Sequence, residues 1–577
     1  MAYKDVYKSW LSDSYFDDDT KKELLAIQSD EKEIEERFCR NLEFGTAGLR
    51  GVIGAGTNRM NIYTVRRATQ GFANYILGIE GAKDKGIVIA YDSRRMSSEF
   101  ALETALVFNG NGIKTYLFED LRPVPMLSFS VRHYGAAGGV VITASHNPPE
   151  YNGYKVYGDD GAQVVFPVDL AIISEVNAIE DFHSIKIADR NEAEKSGLFN
   201  IISKDVDDKY ITEVVKEIVD HDRVKATQKN LKIIYTPLHG SGNIPVQRAL
   251  AEAGFENVYI VKEQEAPDSN FTTVKSPNPE DAAAFEIGIA LAKELNADIV
   301  IGTDPDADRV GAAIKLKDGT YSFLTGNMTG ILITEYTLET LKKLGQLDKK
   351  STIISSVVST KLAKTIAESY DVKYIEVLTG FKYIGEKIKQ LDQSNEGEYI
   401  FGFEESYGCL KGTYARDKDA VSASMLLCEL AAHYKAMGMT LLDALEEIYK
   451  KYGYVKEHVV SITLAGLDGL AKIEKIMKTL RRTEKLIING EQTVEFRDYK
   501  DATQKNLKTE QSCKMNLPTS DVLYYIFSDE TWICVRPSGT EPKIKVYFGV
   551  TSLNSKGASE KLDKVKSAMM KFIEDIE

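Results

Sequence analysis

Short β-branched runs alternate with helical patterns in three successive segments of the sequence, and this alternation most constrains the fold. It is typical of βαβ units, in which helices connect neighbouring parallel strands. The strand-like runs are, in order, IVIAYDS, KTYLFED and GGVVIT, then LKIIYTP, VYIV and DIVIGTD, then TIISSVV, KYIEVL and EYIFGF. The pattern predicts an α/β fold with three consecutive βαβ-type domains, each built on a mixed, largely parallel sheet.

The sequence changes its rhythm from residue 456 onward, where strand-like runs dominate. EHVVSITL, VEFRDY, VLYYIFSD, TWICVRPS and KIKVYFGV accompany a helical stretch and a helical tail, which predicts a C-terminal α+β domain. A length of 577 residues suits about four domains of about 150 residues each. We predict domains at 1–205, 206–325, 326–455 and 456–577, arranged around a central cleft.

The charge and cysteine content limit the partners of the protein. A formal net charge of −14 would repel nucleic acid and anionic membrane surfaces, so we expect neither partner. A phosphorylated ligand would need a local group of Arg, Lys or metal cations. The 5 cysteines lack CxxC spacing and no apolar run reaches about 18 residues, so we expect free thiols and a cytoplasmic protein.

The loop after GGVVIT reads TASHNPP and continues to Lys155. Ligands of open α/β sheets bind beyond the carboxyl ends of the strands. Ser145, in a proline-bounded turn, offers a fixed hydroxyl nucleophile, while His146 and Lys155 supply a proton carrier and a cation for phosphate. The alternative is a polar turn that needs Asn and Pro only for its backbone, because nucleophile–base pairs are recognised by geometry and not by adjacency.

The loop after DIVIGT carries Asp304, Asp306 and Asp308 at alternate positions, followed by Arg309. Three carboxylates on a loop released from an apolar strand can point at one centre and offer hard oxygen ligands to Mg²⁺. Without a cation they would repel one another, which disfavours a merely solvated loop. An EF-hand is excluded because Arg309 stands where its sixth position requires glycine.

The loop after EYIFGF reads GFEESYG and is followed by RDKD. Glu404 and Ser406 can accept and donate hydrogen bonds, as the hydroxyls of a sugar ring require. Paired glutamates on a solvated surface are the alternative interpretation. The segment predicts a polyol-binding loop.

A fourth loop, RPSGTEPK, runs from Arg536 to Lys543. Its arginine offers a planar fork, its Ser and Thr offer hydroxyls, and Gly539 lets backbone N–H groups approach an anion. An inert turn between two strands is the alternative. The composition indicates a cradle for a phosphate dianion.

The loops TASHNPP, GTDPDADRVG, GFEESYG and RPSGTEPK together resemble those of the α-D-phosphohexomutase family, which includes phosphoglucomutases and phosphomannomutases. They occur in the family's order, one in each predicted domain, so the resemblance covers nearly the whole chain. Four loops in sequence are far more specific than any one of them.

The resemblance implies an intramolecular phosphotransferase, a phosphoglucomutase-type isomerase. It would interconvert glucose 1-phosphate and glucose 6-phosphate through a phosphoserine, with Mg²⁺ as cofactor and glucose 1,6-bisphosphate as primer and intermediate. The partners are then small-molecule sugar phosphates, and we expect a monomer or dimer. Phosphopentomutase or phosphomannomutase activity on the same scaffold is the alternative.

The resemblance also implies a role for each matched residue, in three groups. The catalytic group is Ser145, Lys155, His146, Arg50 of the N-terminal loop GTAGLR, and Arg309, with Lys155 as the preferred proton-transfer group. The metal ligands are Ser145 through its phosphate, Asp304, Asp306 and Asp308. The substrate-binding residues are Thr379, Gly380, Lys382, Glu404, Ser406, Arg416, Lys418, Arg536, Ser538, Gly539, Thr540 and Lys543.

One departure bears on the sugar. GFEESYG is closer to the glucose-type pattern than to the dual mannose/glucose form. In the dual form a histidine follows the last glycine, whereas in this sequence Cys409 follows Gly408.

Two rival classes of protein predict different sequence features. A phosphatase would need no second phosphate anchor, and a non-catalytic sugar-phosphate-binding protein would lack Ser145 or the three aspartates.

Overall fold

The structure is a computed structural model that describes residues 3–45, 48–464, 466–537 and 543–576. Of the predicted site residues, Ser538, Gly539 and Thr540 lie outside these ranges. Across the described part of the chain, no helix combines the length and the apolar character that crossing a membrane would require.

The first sheet follows an N-terminal arm of three helices and has the order β1-β5-β4-β2-β3-β6. β4, β2, β3 and β6 run parallel, while β5 and β1 are antiparallel to their neighbours. The elements are α1 (Tyr3–Ser12), α2 (Asp18–Ala26), α3 (Glu31–Phe38), β1 (Gly48–Val52), α4 (Ile62–Leu77), α5 (Ala82–Lys85), β2 (Ile87–Tyr91), α6 (Ser97–Gly110), β3 (Thr115–Phe118), α7 (Val124–Tyr134), β4 (Gly138–Ile142), β5 (Tyr151–Tyr157), α8 (Val168–Asn177), α9 (Arg190–Lys195) and β6 (Phe199–Ile202).

The second sheet has the order β11-β10-β9-β7-β8, with β8, β7 and β9 parallel and β10 and β11 antiparallel. It is preceded by two connecting helices. The elements are α10 (Asp205–Lys216), α11 (His221–Thr227), β7 (Ile233–Thr236), α12 (Asn243–Glu252), β8 (Val258–Ile260), α13 (Glu286–Leu295), β9 (Ile299–Thr303), β10 (Val310–Lys315) and β11 (Tyr321–Leu324).

The third sheet has the order β13-β12-β14-β15, and only β15 is antiparallel to its neighbour. Asp419 caps α17 by accepting hydrogen bonds from the N–H groups of Val421 and Ser422. The elements are α14 (Gly326–Lys343), β12 (Ser351–Ser356), α15 (Leu362–Ser369), β13 (Lys373–Val377), α16 (Phe381–Ser394), β14 (Glu398–Phe403), β15 (Cys409–Lys411), α17 (Ala420–Ala436) and α18 (Leu441–Tyr452).

The fourth sheet is antiparallel, in the order β16-β23-β22-β21-β18-β19-β20, with β17 beside β18. The elements are β16 (Tyr454–Thr463), α19 (Gly466–Arg482), β17 (Ile487–Ile488), β18 (Glu491–Asp498), β19 (Thr503–Asn506), β20 (Gln511–Lys514), β21 (Leu523–Phe527), β22 (Trp532–Pro537), β23 (Lys543–Ser552) and α20 (Ser555–Glu574).

The first three sheets share one apolar core, and the fourth sheet has a separate one. One large apolar core runs through elements of the first three sheets, and α17 is buried along most of its length because it packs between the second and third. The fourth sheet has a core of its own. A smaller cluster that includes Val357, Val358, Tyr524 and Trp532 links it to the third sheet.

The predicted fold class, three βαβ-type domains with mixed sheets and an α+β domain, is confirmed. The antiparallel strands β1, β5, β10, β11 and β15 of the first three sheets were absent from the prediction. For β5, the sequence suggested a continuation of the serine loop. Six of its seven residues are buried, so it shows no alternation of polar and apolar residues by which a strand is recognised.

Candidate active site

The serine loop leaves the carboxyl end of β4 and turns sharply at Ser145. Ser145 has φ +53°, a left-handed conformation that costs a residue other than glycine about 1 kcal/mol. Its backbone N–H donates to Thr143 Oγ1 at 2.8 Å. The turn directs Ser145 Oγ to within 2.9 Å of Asp304 Oδ2 and 3.1 Å of His146 Nδ1.

The aspartate loop leaves the carboxyl end of β9 and faces the serine. Ligand atoms from Asp304, Asp306 and Asp308 lie within 4.8 Å of one another, and all three side chains are buried. Asp304 Oδ1 accepts hydrogen bonds from the N–H groups of Asp308 and Arg309, at 3.1 and 3.0 Å. The backbone thus fixes one carboxylate, and Ala307 reverses the chain with φ +48°.

Cationic side chains surround the aspartates. Lys155 Nζ, on β5, lies 2.8 Å from Asp306 Oδ2 and 3.6 Å from Asp308 Oδ2, and Lys418 Nζ lies 3.1 Å from Asp308 Oδ2. Burial by itself would lower the pKa of each lysine, but the aspartates outweigh it and raise both. A Cβ on Gly408 would lie 2.0 Å from Lys418 Cδ, so glycine is required there for the lysine to pass.

The aspartate cluster fits a divalent cation better than it fits lysines alone. Burial, Asp306 and Asp308 raise the pKa of Asp304 well above its usual range, because three clustered carboxylates repel one another. Among the described residues, Asp306 Oδ1 and Asp308 Oδ1 are buried without a hydrogen-bond donor. Buried oxygens without donors are costly unless a cation binds them, and Mg²⁺ prefers such oxygen ligands.

Three further predicted catalytic residues, His146, Arg50 and Arg309, contact the serine loop or the aspartate loop. Burial, and then the charges of Arg309 and Arg50, lower the pKa of His146 well below its usual value, so its imidazole is neutral at pH 7. Arg50 Nη1 donates to Asn147 Oδ1 at 3.2 Å. Arg309 Nη1 pairs with Glu280 Oε1 at 2.8 Å, and its Nε lies 3.7 Å from Asp308 Oδ1.

The predicted sugar loop follows β14 and contacts the loop that begins α16. The buried Glu404 accepts a hydrogen bond from the N–H of Gly380 at 2.7 Å through Oε1. Thr379 Oγ1 is buried and has no hydrogen-bond partner among the described residues, as expected of a hydroxyl that binds a polar ligand. Ser406 is half-buried in the same loop, and Lys382 Nζ lies 3.8 Å from Asp169 Oδ2.

The fourth sheet brings positive charge toward this loop. Burial and the neighbouring Glu404 raise the pKa of Glu405 to about 7, and the charges of Lys545 and Arg536 oppose that rise. Arg536 lies near the end of β22 and Lys543 begins β23, so the predicted phosphate loop connects these two strands.

Arg416 is not part of this group of side chains. Its guanidinium donates to the carbonyl oxygens of Thr413 and Ala415 and pairs with Asp392 Oδ2 at 2.5 Å. The backbone N–H of Arg416 donates to Ser128 Oγ at 2.8 Å. These contacts join the first and third sheets, and Lys418, two residues later, is the member of the segment that reaches the aspartates.

Several residues at the site were missed from sequence. Arg94 and Asp92 follow β2 and contact the serine loop. Glu280 holds Arg309, and Asp417 accepts a hydrogen bond from Tyr157 while its other oxygen contacts Lys418. For Arg94 and Asp92 a signal existed, because the strand-end rule used for three loops applies equally to the loop after IVIAY.

Comparisons with known proteins agree with this architecture. Family models described as phosphoglucomutase/phosphomannomutase match in order: alpha/beta/alpha domain I over residues 41–183, domain II over 208–317, domain III over 325–452 and the C-terminal domain over 465–558. A phosphoglucomutase of Staphylococcus haemolyticus (strain JCSC1435) is 37% identical over 527 residues, which are 91% of this chain and 93% of that protein.

Solved structures share the fold at lower identity. Parafusin of Paramecium, in its open form, has a TM-score of 0.68 at 17% identity, and the match covers 93% of this chain and 95% of that one. A phosphoglucomutase/phosphomannomutase family protein from Burkholderia thailandensis has a TM-score of 0.63 at 17% identity, with coverage of 91% and 96%. The resemblance found in the four loops is therefore confirmed: the chain belongs to the phosphoglucomutase/phosphomannomutase family.

Proposed function

We propose that this protein interconverts glucose 1-phosphate and glucose 6-phosphate, with Ser145 as the residue that carries the transferred phosphoryl group. The observation that carries the proposal is the position of Ser145 Oγ, within hydrogen-bond distance of both Asp304 and His146. The phosphoglucomutase of Staphylococcus haemolyticus supports glucose as the sugar, as does the GFEESYG loop.

Each half of the reaction moves one phosphoryl group. The P–O bond to Ser145 breaks as a sugar hydroxyl forms the new one. The hydroxyl proton passes to His146, or to Lys155, which can accept it only as the neutral amine. Lys418 and Arg309 hold positive charge around the oxygens of that group. The product of this half-reaction is glucose 1,6-bisphosphate, which must turn end for end before the second half.

Mg²⁺ would be held by Asp304, Asp306 and Asp308 with the phosphate on Ser145, and its charge would neutralise the oxygens of that phosphate. Glucose 1,6-bisphosphate would serve as primer. The two oxygens without donors, on Asp306 and Asp308, support the cation.

The other end of the sugar phosphate would be held by Arg536, Ser538, Gly539, Thr540 and Lys543. The sugar ring would be contacted by Thr379, Gly380, Lys382, Glu404 and Ser406. Arg416 would contribute indirectly, by fixing the segment that also carries Lys418. Closure of the fourth domain over the sugar would exclude water, which competes as an acceptor. We also propose domain limits at residues 205, 325 and 455. The protein would be cytoplasmic, and it would be a monomer or a dimer.

The test compares kcat/KM for glucose 1-phosphate, mannose 1-phosphate and ribose 1-phosphate, each with its bisphosphate primer and Mg²⁺. We expect the highest value for glucose 1-phosphate and a requirement for primer. Release of inorganic phosphate without a primer requirement would indicate a phosphatase, and binding without turnover would indicate a non-catalytic protein. A higher value for ribose 1-phosphate or mannose 1-phosphate would overturn the sugar assignment. Discrimination against ribose, which is one carbon shorter, is worth only about 1–3 kcal/mol.

A further inference from the structure

Arg94 lies three residues beyond the end of β2, beneath the serine loop, and its side chain is 0% exposed. Its Nη2 donates to the carbonyl oxygen of Ser145 and, at 2.6 Å, to that of Asn147. Its Nη1 donates to the carbonyl oxygens of Pro148 and Tyr151, at 2.9 and 3.2 Å. One guanidinium therefore donates to four carbonyl groups, three in the serine loop and one at the first residue of β5.

Asp92 links this arginine to both functional loops. Asp92 Oδ2 lies 3.2 Å from Arg94 Nε and accepts a hydrogen bond from Thr143 Oγ1 at 2.7 Å. Thr143 Oγ1 in turn accepts the N–H of Ser145 and lies 3.2 Å from Asp306 Oδ2. Because a hydroxyl has only one hydrogen, the shorter contact to Asp92 is the one it donates.

Arg94 cannot touch the substrate itself. Its hydrogen-bond donors face protein carbonyls and Asp92, and its guanidinium carbon lies 5.0 Å from the ring centroid of Phe271, which packs against it from the second domain. A buried cation in this position acts through the backbone that it holds and not through contact with a sugar phosphate.

The loop needs such a cation. Ser145 has a left-handed backbone, and the carbonyl oxygens of the turn converge on one point, where they would repel one another without a shared donor. A planar fork of five N–H donors satisfies several carbonyls at fixed angles, whereas an ammonium group concentrates its donors at one atom.

We propose that Arg94 is a positioning residue that holds Ser145 Oγ toward the aspartate loop by binding the carbonyl oxygens of residues 145–151. The proposal rests on the proposed function, in which Ser145 carries the phosphoryl group. It makes phosphoryl transfer depend on Arg94 and leaves sugar-phosphate binding nearly independent of it.

The kinetic test compares Arg94→Lys and Arg94→Ala with Arg95→Ala, which removes the adjacent, exposed arginine. A serine displaced by about 1 Å should lower kcat of both Arg94 variants about 100-fold. KM for glucose 1-phosphate should stay within about twofold, and Arg95→Ala should match the wild type. Added guanidinium should recover part of kcat in Arg94→Ala, whereas added methylammonium should not. A folded Arg94→Lys protein with wild-type kcat, or a loss that appears mainly in KM, would overturn the proposal.

A second readout does not require turnover. Amide hydrogen exchange of the peptide spanning 143–151 should accelerate in both Arg94 variants and stay unchanged in Arg95→Ala, while peptides of the fourth sheet serve as an internal reference. Unchanged exchange in 143–151 would overturn the positioning role. If the wild type lacked mutase activity but the exchange difference persisted, the proposed function would fail separately from the role of Arg94 in the loop.

Discussion

Ser145 Oγ and Asp304 Oδ2 lie 2.9 Å apart although 159 positions separate the two residues in the chain. The contact joins the carboxyl end of β4 in the first sheet to the carboxyl end of β9 in the second. The carboxyl ends of interior strands of two sheets thus meet at the residues that we propose for phosphoryl transfer. Lys155 reinforces the junction by donating to Asp306 Oδ2 at 2.8 Å.

The substitution Asp304→Asn tests the cation site. The amide oxygen of the new side chain can keep the two backbone hydrogen bonds that Oδ1 accepts, and the substitution removes one of three repelling carboxylates. The metal-free variant should therefore be at least as stable as the wild type. Mg²⁺ at 100 times its Kd should stabilise the wild type by about 2.7 kcal/mol and the variant hardly at all. Thermal unfolding with and without Mg²⁺ measures both effects. Asp222→Asn, at an exposed position of α11, is the matched control, and equal Mg²⁺ stabilisation of Asp304→Asn would refute the site.

Replacing Lys155 with Met tests proton transfer. Loss of a positioned acid or base typically slows a reaction about 10²–10⁴-fold, and we expect kcat to fall within that range. Mg²⁺ should bind at least as tightly as before, because the ammonium 2.8 Å from Asp306 Oδ2 no longer competes for the carboxylate. Steady-state kinetics at several Mg²⁺ concentrations give both quantities. A variant with normal kcat would assign the proton to His146 instead.

Replacing Arg536 with Ala tests the distal phosphate site. A hydrogen bond to a charged group contributes about 1.5–3 kcal/mol, so kcat/KM for glucose 1-phosphate should fall about 10–150-fold. Most of the loss should appear in KM, because the arginine binds the phosphate that is not being transferred. Arg497→Ala, on the same sheet, should affect kcat/KM less. If Arg536→Ala had wild-type kinetics, the clamp would have to be sought elsewhere.

His433 predicts part of the acid sensitivity of folding. Burial, and then the charge of Arg223, lower the pKa of His433 to about 4, below its usual value near 6.5. The unfolded chain therefore binds a proton that the folded chain does not, so this contribution to stability is present above pH 6.5 and is lost as the pH falls toward 4. Urea unfolding across this range should show a weaker pH dependence in His433→Gln than in the wild type. His221→Gln, at an exposed histidine, should keep the wild-type dependence, and identical curves for His433→Gln would contradict the assignment.

Much of the fold and of the site could be predicted from local pattern. The predicted strand runs IVIAYDS, GGVVIT and DIVIGTD contain β2, β4 and β9, and the loops after β4, β9 and β14 carry the residues that strand ends led us to expect. Both results follow from local rules, namely hydrophobic periodicity and the position of ligands at strand ends. The three aspartates meet as expected because one short loop carries them.

What could not be predicted depends on contacts between distant segments. Arg416 and Lys418 are two positions apart, yet one pairs with Asp392 and the other with Asp308. Their spacing does not predict which of the two side chains reaches the aspartate loop. The outcome depends on how α16, which carries Asp392, and the aspartate loop pack. The pairing of Glu280 with Arg309 likewise joins segments whose spacing carries no helical or strand period.

The role of Ser145 as carrier of the phosphoryl group is tested most directly by following a labelled phosphoryl group. The protein is incubated with glucose 1,6-bisphosphate carrying ³²P, and the label is located by peptide mapping before and after unlabelled glucose 1-phosphate is added. We predict label on the peptide containing Ser145, its transfer to glucose 6-phosphate on addition of substrate, and no label in Ser145→Ala, whose turnover should fall by at least about 10⁴-fold. Turnover that continues in Ser145→Ala, or label on another residue, would contradict the role of Ser145 as the phosphoryl carrier.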